Sequence, residues 1–417
     1  MKRLIFAAVG LALVVGAAAG FPAPSTASGQ ITEIIDRTGD GVGNTLDDPY
    51  GIAVEGNGNV YVTGESSSNA FKIAAGGVIT EIIDSTGDGV GNTLGSAIRI
   101  AVDGNGNVYV TGWGSDNAFK ITSGGVITEI IDSTGDGVGN TLDRPYDIAV
   151  DGNGNVYVTG AETDNAFKIT SGGVITEIID STGDGVGNTL DSPYGIAVDG
   201  NGNVYVTGLG SDNAFKITSG GVITEIIDST GDGVGNTIDS PYGIAVDGNG
   251  NEYVTGSGSN NAFKITSGGV ITEIIDSTGD GVGNTLGSPM GIAVDGNRNV
   301  YVAGYYTHHA FKITSGGVIT VIIDSTGDGA GNTLAGPYGI AVDGNRNVYV
   351  TGAETDNAFK IAAPLAVGGI AELPALAGPP GGSGMGGVTY AVLAGAAAGV
   401  LAFAVLATLS VRRWRVR

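Results

Sequence analysis

The chain has 417 residues, 77 of them glycine and none cysteine, with 42 acidic against 18 basic side chains for a net charge of -24. Glycine at that level beside 41% hydrophobic residues, without a Gly-X-Y period, excludes collagen and argues against general disorder, while the lack of cysteine excludes disulfides, thiolate metal sites and dithiol redox centres. The negative charge excludes an electrostatic nucleic-acid binder.

Residues 1–30 read as a secretory signal peptide. Lys2 and Arg3 precede an apolar stretch from Leu4 to Ala19, and small residues at Ala17 and Ala19, or Ser25 and Ala27, offer a cleavage pattern. An uncleaved anchor helix is the alternative, because the run is near the lower limit of about 17 residues for a membrane span.

The string ITEIID then begins at Ile31 and recurs at Ile79, Ile127, Ile175, Ile223 and Ile271, returning as ITVIID at Ile319, so a unit of 48 residues is present in seven copies. Each unit holds four β-like runs, GIAV, VYVTG, NAFKI and VITEII, parted by a DGNGN turn, a polar turn and an SGG turn. In the unit from Ile175, Ile196 and Val198 alternate with Ala197, and Val204 and Val206 with Tyr205, the period of two that marks strands. Four strands and no helix per unit of this length predict an all-β fold, a seven-bladed β-propeller of four-stranded blades over residues 31–362. The repeat opens with a lone ITEIID strand and closes with three runs from Gly339 to Ile361. The N-terminal strand therefore completes the last blade as its outermost strand, which closes the ring and removes two exposed edges.

The stretch PYGIAVDGNGNVYVTG, Pro193 to Gly208, resembles the bacterial beta-propeller repeat and NHL repeat families, whose units share a GIAVD, GN, VYV core. The resemblance extends over all seven units and implies the propeller fold. Those families include adhesion or scaffolding modules and a few enzymes, so it implies no particular activity. NAFKI stands where many NHL units carry an asparagine-arginine-isoleucine run, and the GDGVGN insertion before each inner strand is longer than theirs.

In a propeller the loop from outer strand to next inner strand and the loop between second and third strands open on one face. The second-to-third loops here read ESSS, WGSD, AETD, LGSD, SGSN, YYTHH and AETD, and variation on an otherwise repeated frame marks the face that contacts something. Its candidate ligand-binding residues are Trp113, Tyr305, Tyr306, His308 and His309, aromatic side chains with polar tips suited to a protein, peptide or glycan. The two histidines are the only ones in the chain, but neighbours on an extended strand point to opposite sides and no third metal ligand accompanies them. Arg99 and Asp147 replace a glycine found in the other units, which predicts opposite charges side by side at the channel mouth, as a salt bridge or as a ligand-orienting pair. Tyr50, Tyr146, Tyr194, Tyr242 and Tyr338 are expected to ring the same mouth.

The insertion repeats as D-x-T-x-D-G-x-G-N, and the spacing partly matches an EF-hand loop. Candidate calcium ligands are Asp132, Asp136 and Asp143, Asp180, Asp184 and Asp191, and Asp228, Asp232 and Asp239. The match is incomplete: threonine holds the third position, a short aspartate the twelfth, and no helices flank the loop, so plain Asp-Gly turns are the competing reading.

Residues 363–387 form a Pro/Gly-rich stalk. Val388 to Val411 is uncharged and as a helix would reach roughly 36 Å, enough to cross a hydrocarbon core of about 30 Å, so a transmembrane helix is predicted at 388–411. The arginines of the basic tail 412–417 mark the cytoplasmic side. The expected protein is thus single-pass in the cell membrane with its propeller on the extracytoplasmic side, a binding or interaction module with an unidentified ligand. A propeller-type lyase or lactonase, or a passive surface structural protein, are the alternatives.

Overall fold

The computed structural model describes residues 29–364. The expected signal peptide up to position 28, the rest of the stalk, the membrane helix and the basic tail lie outside the described residues. No helix among the described residues is long and apolar enough to cross a membrane.

Seven antiparallel sheets of four strands arise from the seven units. In the fourth blade Pro193–Val198, Val204–Gly208, Asn213–Ile217 and Ile223–Ile227 pair in chain order. The first strands of successive blades touch one another around a ring and so form the innermost layer. In the seventh blade the order is Ile31–Ile35, Asn357–Ile361, Val348–Gly352, Pro337–Val342, so the N-terminal strand is the outermost and closes the ring. Its register sets Ile31 opposite Ile361 and Glu33 opposite Phe359.

Alternation in the second strand does not mean one wet face. Val204 to Gly208 are buried throughout, because each blade is sandwiched between two others. Tyr157 of the third blade packs with Val204, Val206 and Phe215 of the fourth, and the same combination recurs round the ring except at the fifth blade, where Glu252 stands in place of the first valine. Phe215 and Tyr205 are fully enclosed, and burying such side chains contributes about 1.5–3 kcal/mol each.

Polar groups knit this core. Thr207 accepts from the amide of Gly195 in its own blade and donates to the carbonyl of Tyr242 in the next, at 2.8 and 2.9 Å. The threonine of VYVTG repeats this staple in six blades, while the sixth has Ala303 at that place. The blades approach so closely there that a Cβ on Gly195 would lie 2.4 Å from the Tyr242 carbonyl oxygen. On the opposite rim Asp103 of the DGNGN turn accepts from the amides of Asn105 and Asn107, the Asn107 side chain and the Tyr109 hydroxyl. Burial works to raise its carboxyl, but these donors outweigh it and hold the group below the usual aspartate value.

A candidate binding bowl on the variable face

Seven side chains at equivalent positions, one before each channel-lining residue, meet over the axis: Tyr50, Ile98, Tyr146, Tyr194, Tyr242, Met290 and Tyr338. The proline-tyrosine step starts the inner strand and turns the ring inward, so five tyrosines gather as the sequence predicts. Tyr50 and Tyr338 lie 4.2 Å apart between centroids, Tyr146 and Tyr194 4.1 Å, and Tyr194 and Tyr242 5.1 Å. The hydroxyls of Tyr146 and Tyr242 both contact that of Tyr338, closing the floor. Burial pushes the Tyr242 and Tyr338 phenols well above their ordinary value, so both are neutral donors at any physiological pH.

Above this floor stands a bowl of about 440 Å³, walled by Glu65, Trp113, Leu209 and Ser257 from the variable loops. Trp113 meets Tyr146 edge-on at 5.5 Å, and the Arg144 guanidinium sits 5.3 Å from its ring while pairing with Glu162 at 2.9 Å. Tyr305 packs 5.9 Å from Tyr338. Its phenol is pushed up to about 12, first by burial and then by Glu354. Tyr306 extends outward, 73% exposed.

Below the floor lies a channel of about 130 Å³ lined by Arg99 and Asp147. Arg99 Nε stands 4.0 Å from Asp147 Oδ1, and its guanidinium lies 5.3, 5.9 and 5.0 Å from the rings of Tyr146, Tyr242 and Tyr338. Asp147 accepts from the amides of Ile148 and Ile196 at 2.9 and 3.0 Å. Burial raises its carboxyl, while Arg99 and those two amides oppose the rise. The pair therefore stitches the second, third and fourth blades beneath the tyrosine floor, which separates it from the bowl.

The two histidines part company. His308 has φ +57 and accepts the Gly336 amide on Nδ1 at 3.0 Å, the place where Asp116, Asp164, Asp212 and Asn260 accept the corresponding amide of the following blade. His309 replaces the strand asparagine that elsewhere bonds a glutamate, as Asn213 bonds Glu225 at 3.0 Å, and the partner strand carries Val321 instead. Its Nδ1 is buried without a hydrogen-bond partner.

The aspartates of the insertion turn back on their own loops. Asp180 accepts the Thr182 amide at 2.8 Å, and Asp184 accepts the amides of Val186 and Asn188 and the Asn188 side chain, which lowers its carboxyl. Asp132 with Asp136 and Asp228 with Asp232 repeat this arrangement. Asp191 and Asp239 each accept from the serine that follows, whereas Asp143 lies beside Asp116. Among the described residues, three carboxylates come within metal-binding reach of one another only at Asp47, Asp48 and Asp356.

Ile98, Met290, Leu209 and Glu65 are bowl residues that motif reading passed over. For Ile98 and Met290 the signal was positional, since Ala-Ile and Pro-Met stand where the other units have Pro-Tyr, while Glu65 and Leu209 open two of the variable loops.

Closed ring, axial plug and bowl define a seven-bladed propeller with a concave aromatic site on one face. Five stretches, residues 38–72, 89–120, 137–161, 185–216 and 232–264, match the Beta-propeller repeat family. No curated protein sequence matches the chain. Among solved structures it is similar to virginiamycin B lyase from Staphylococcus aureus, with 21% identity and TM-score 0.61 over 80% of this chain and 99% of that one. It is also similar to a streptogramin B lyase, with 20% identity and TM-score 0.63 over 80% and 97%. Hydrazine synthase of Kuenenia stuttgartiensis follows with 16% identity and TM-score 0.57 over 76% and 96%. At these identities the likeness is one of fold.

Proposed function

We propose that the chain is a binding module displayed outside the cytoplasm, held by a membrane helix at 388–411 and using the aromatic bowl as its recognition site. The observation that carries this reading is the bowl itself: variable loops supply Trp113, Leu209 and Tyr305 to a floor of repeated tyrosines, the large amphipathic surfaces that anchor ligands at low entropic cost. Residues 1–30 and 412–417 support the topology through their charges and hydropathy. The lyase and lactonase reading draws its support from the shared fold alone.

The test is a glycan and peptide array screen of the full-length protein beside Trp113→Ala and Tyr194→Ala. Hits lost in both variants, with the folded state retained by circular dichroism, are the expected result. Hits retained in both move recognition elsewhere and overturn the reading.

A further inference from the structure

Charge is distributed unequally over the fold. Within residues 29–364 the chain carries 41 carboxylates and 12 basic side chains, and 26 of those carboxylates lie on loops of the variable face. Only Arg37 and Arg144 accompany them there. The opposite face carries one acid per unit in its DGNGN turns, each consumed by its own turn, with Arg298 and Arg346. The strands are balanced, eight acids against eight bases.

The bowl adds a second, independent feature, because tyrosine and tryptophan faces carry negative quadrupoles that attract cations. Tyr50 is the focal residue. It is half-buried, and its phenol is raised first by burial and then by the nearby charges of Asp48 and Glu65, while Arg99 beneath the floor opposes the rise and Glu354 adds to it. Glu65 lines the bowl, and Glu354 stands beside Tyr305 on the side of the seventh blade, where a Cβ on Gly336 would lie 2.9 Å from both side chains. Aromatic faces with a carboxylate at the wall of a concave site are what a guanidinium or ammonium group on an aliphatic stem requires. A concave low-dielectric wall also focuses the field of the surrounding acidic loops into the bowl.

We propose that the bowl docks a basic segment of a partner protein, seating an arginine or lysine side chain against Tyr50 between Glu65 and Glu354. This rests on the bowl being the recognition site. The acidic loops steer the partner, and the aromatic contact fixes where it stops.

The test measures the fluorescence anisotropy of labelled octa-arginine with the full-length protein, against octa-glutamate and a neutral Gly-Ser peptide. Octa-arginine alone should bind. Its affinity should fall at least about tenfold as salt rises from about 0.01 M to about 0.15 M, which shortens the screening length from about 30 to about 8 Å. Tyr50→Leu, Glu65→Gln and Glu354→Gln should each weaken binding about three- to tenfold, whereas Tyr50→Phe keeps the ring face and should bind like the parent. Circular dichroism melts verify that the variants fold. Octa-arginine bound equally by Tyr50→Leu would mean attraction by the field alone and overturns the docking site. Array hits that depend on Trp113, without octa-arginine binding, leave the binding module standing and overturn its cationic partner. Neither kind of binding overturns both.

Discussion

Asn357 donates its side-chain amide to Glu33 at 2.9 Å across 324 positions of sequence, tying the last strand of the propeller to the first. The same amide reaches the Thr333 carbonyl, so one side chain joins outer strand, third strand and insertion loop. Ile35, 2% exposed, packs from this strand onto Leu46, Phe71 and Tyr349 of the first-to-seventh blade junction.

Deleting Ile31–Asp36 should therefore open the ring. The cut leaves Asn357–Ile361 as an exposed edge and strips the junction of Ile34 and Ile35, so the protein should melt lower and self-associate through the free edge. Calorimetry and sedimentation on the full-length chain with and without the deletion provide the check. A monomer melting with the parent would refute the closure.

At the sixth blade Ala303 lacks the hydroxyl that staples neighbours elsewhere. Ala303→Thr should restore a donor to the Tyr338 carbonyl and an acceptor for the Gly291 amide, stabilising the fold by about 0.5–1.5 kcal/mol. Thr207→Ala in the fourth blade should cost a similar amount or more, since it strands the buried Gly195 amide. Urea unfolding of both variants measures the two signs, and equal effects would show that the staple is dispensable.

Much of this was legible because each unit agrees with itself at several levels: period-two runs, Asp-Gly turns and a fixed phase all point to four-stranded blades. The tyrosine ring was legible for the same reason, since a residue repeated at one register must meet its copies on the axis. Substitutions inside the frame were less so. His308 looks like a functional outlier in sequence, yet it fills the αL position that serine, aspartate and asparagine occupy elsewhere and accepts the same amide. Trp113 is exceptional in sequence too, but its place over Tyr146 became visible only when blades two and three were set side by side. Charge asymmetry between faces needed the topology to sort loops by end.

Calcium and magnesium should raise the melting temperature equally at physiological salt. The carboxylates of Asp180 and Asp184 already accept from their own loop, so a divalent ion must displace internal donors before it can be liganded, whereas diffuse attraction to the acidic face requires no such exchange. Thermal shifts with each ion, on the parent and on a variant carrying Asp→Asn at 180 and 184, are the measurement. A calcium-specific shift lost in that variant would establish a coordinated site.

Glu252 is the fifth unit's replacement for a valine, and it is 2% exposed. Lys216 Nζ lies 3.5 Å from one carboxylate oxygen, but the other has no hydrogen-bond partner. Burial raises this carboxyl above its ordinary value, and Lys216 only partly offsets the effect. The folded state therefore holds the proton more tightly than the unfolded chain. Its contribution to stability is greatest below the unfolded value near 4.5 and is lost as pH rises through the higher folded value. Glu252→Val restores the residue of the other units and removes both the desolvated charge and its orphaned oxygen. Lys216 is left 5.1 Å over the Tyr205 ring, as Lys168 lies 5.6 Å over Tyr157 in the third blade, so loss of the buried, half-satisfied carboxylate should stabilise the fold by about 1–3 kcal/mol. The gain should be present at pH 7 and shrink towards pH 4, where the parent's carboxyl is protonated. Parallel urea titrations at the two pH values measure it. A variant less stable than the parent at pH 7, or a gain equal at both, would show that Lys216 fully compensates the buried charge.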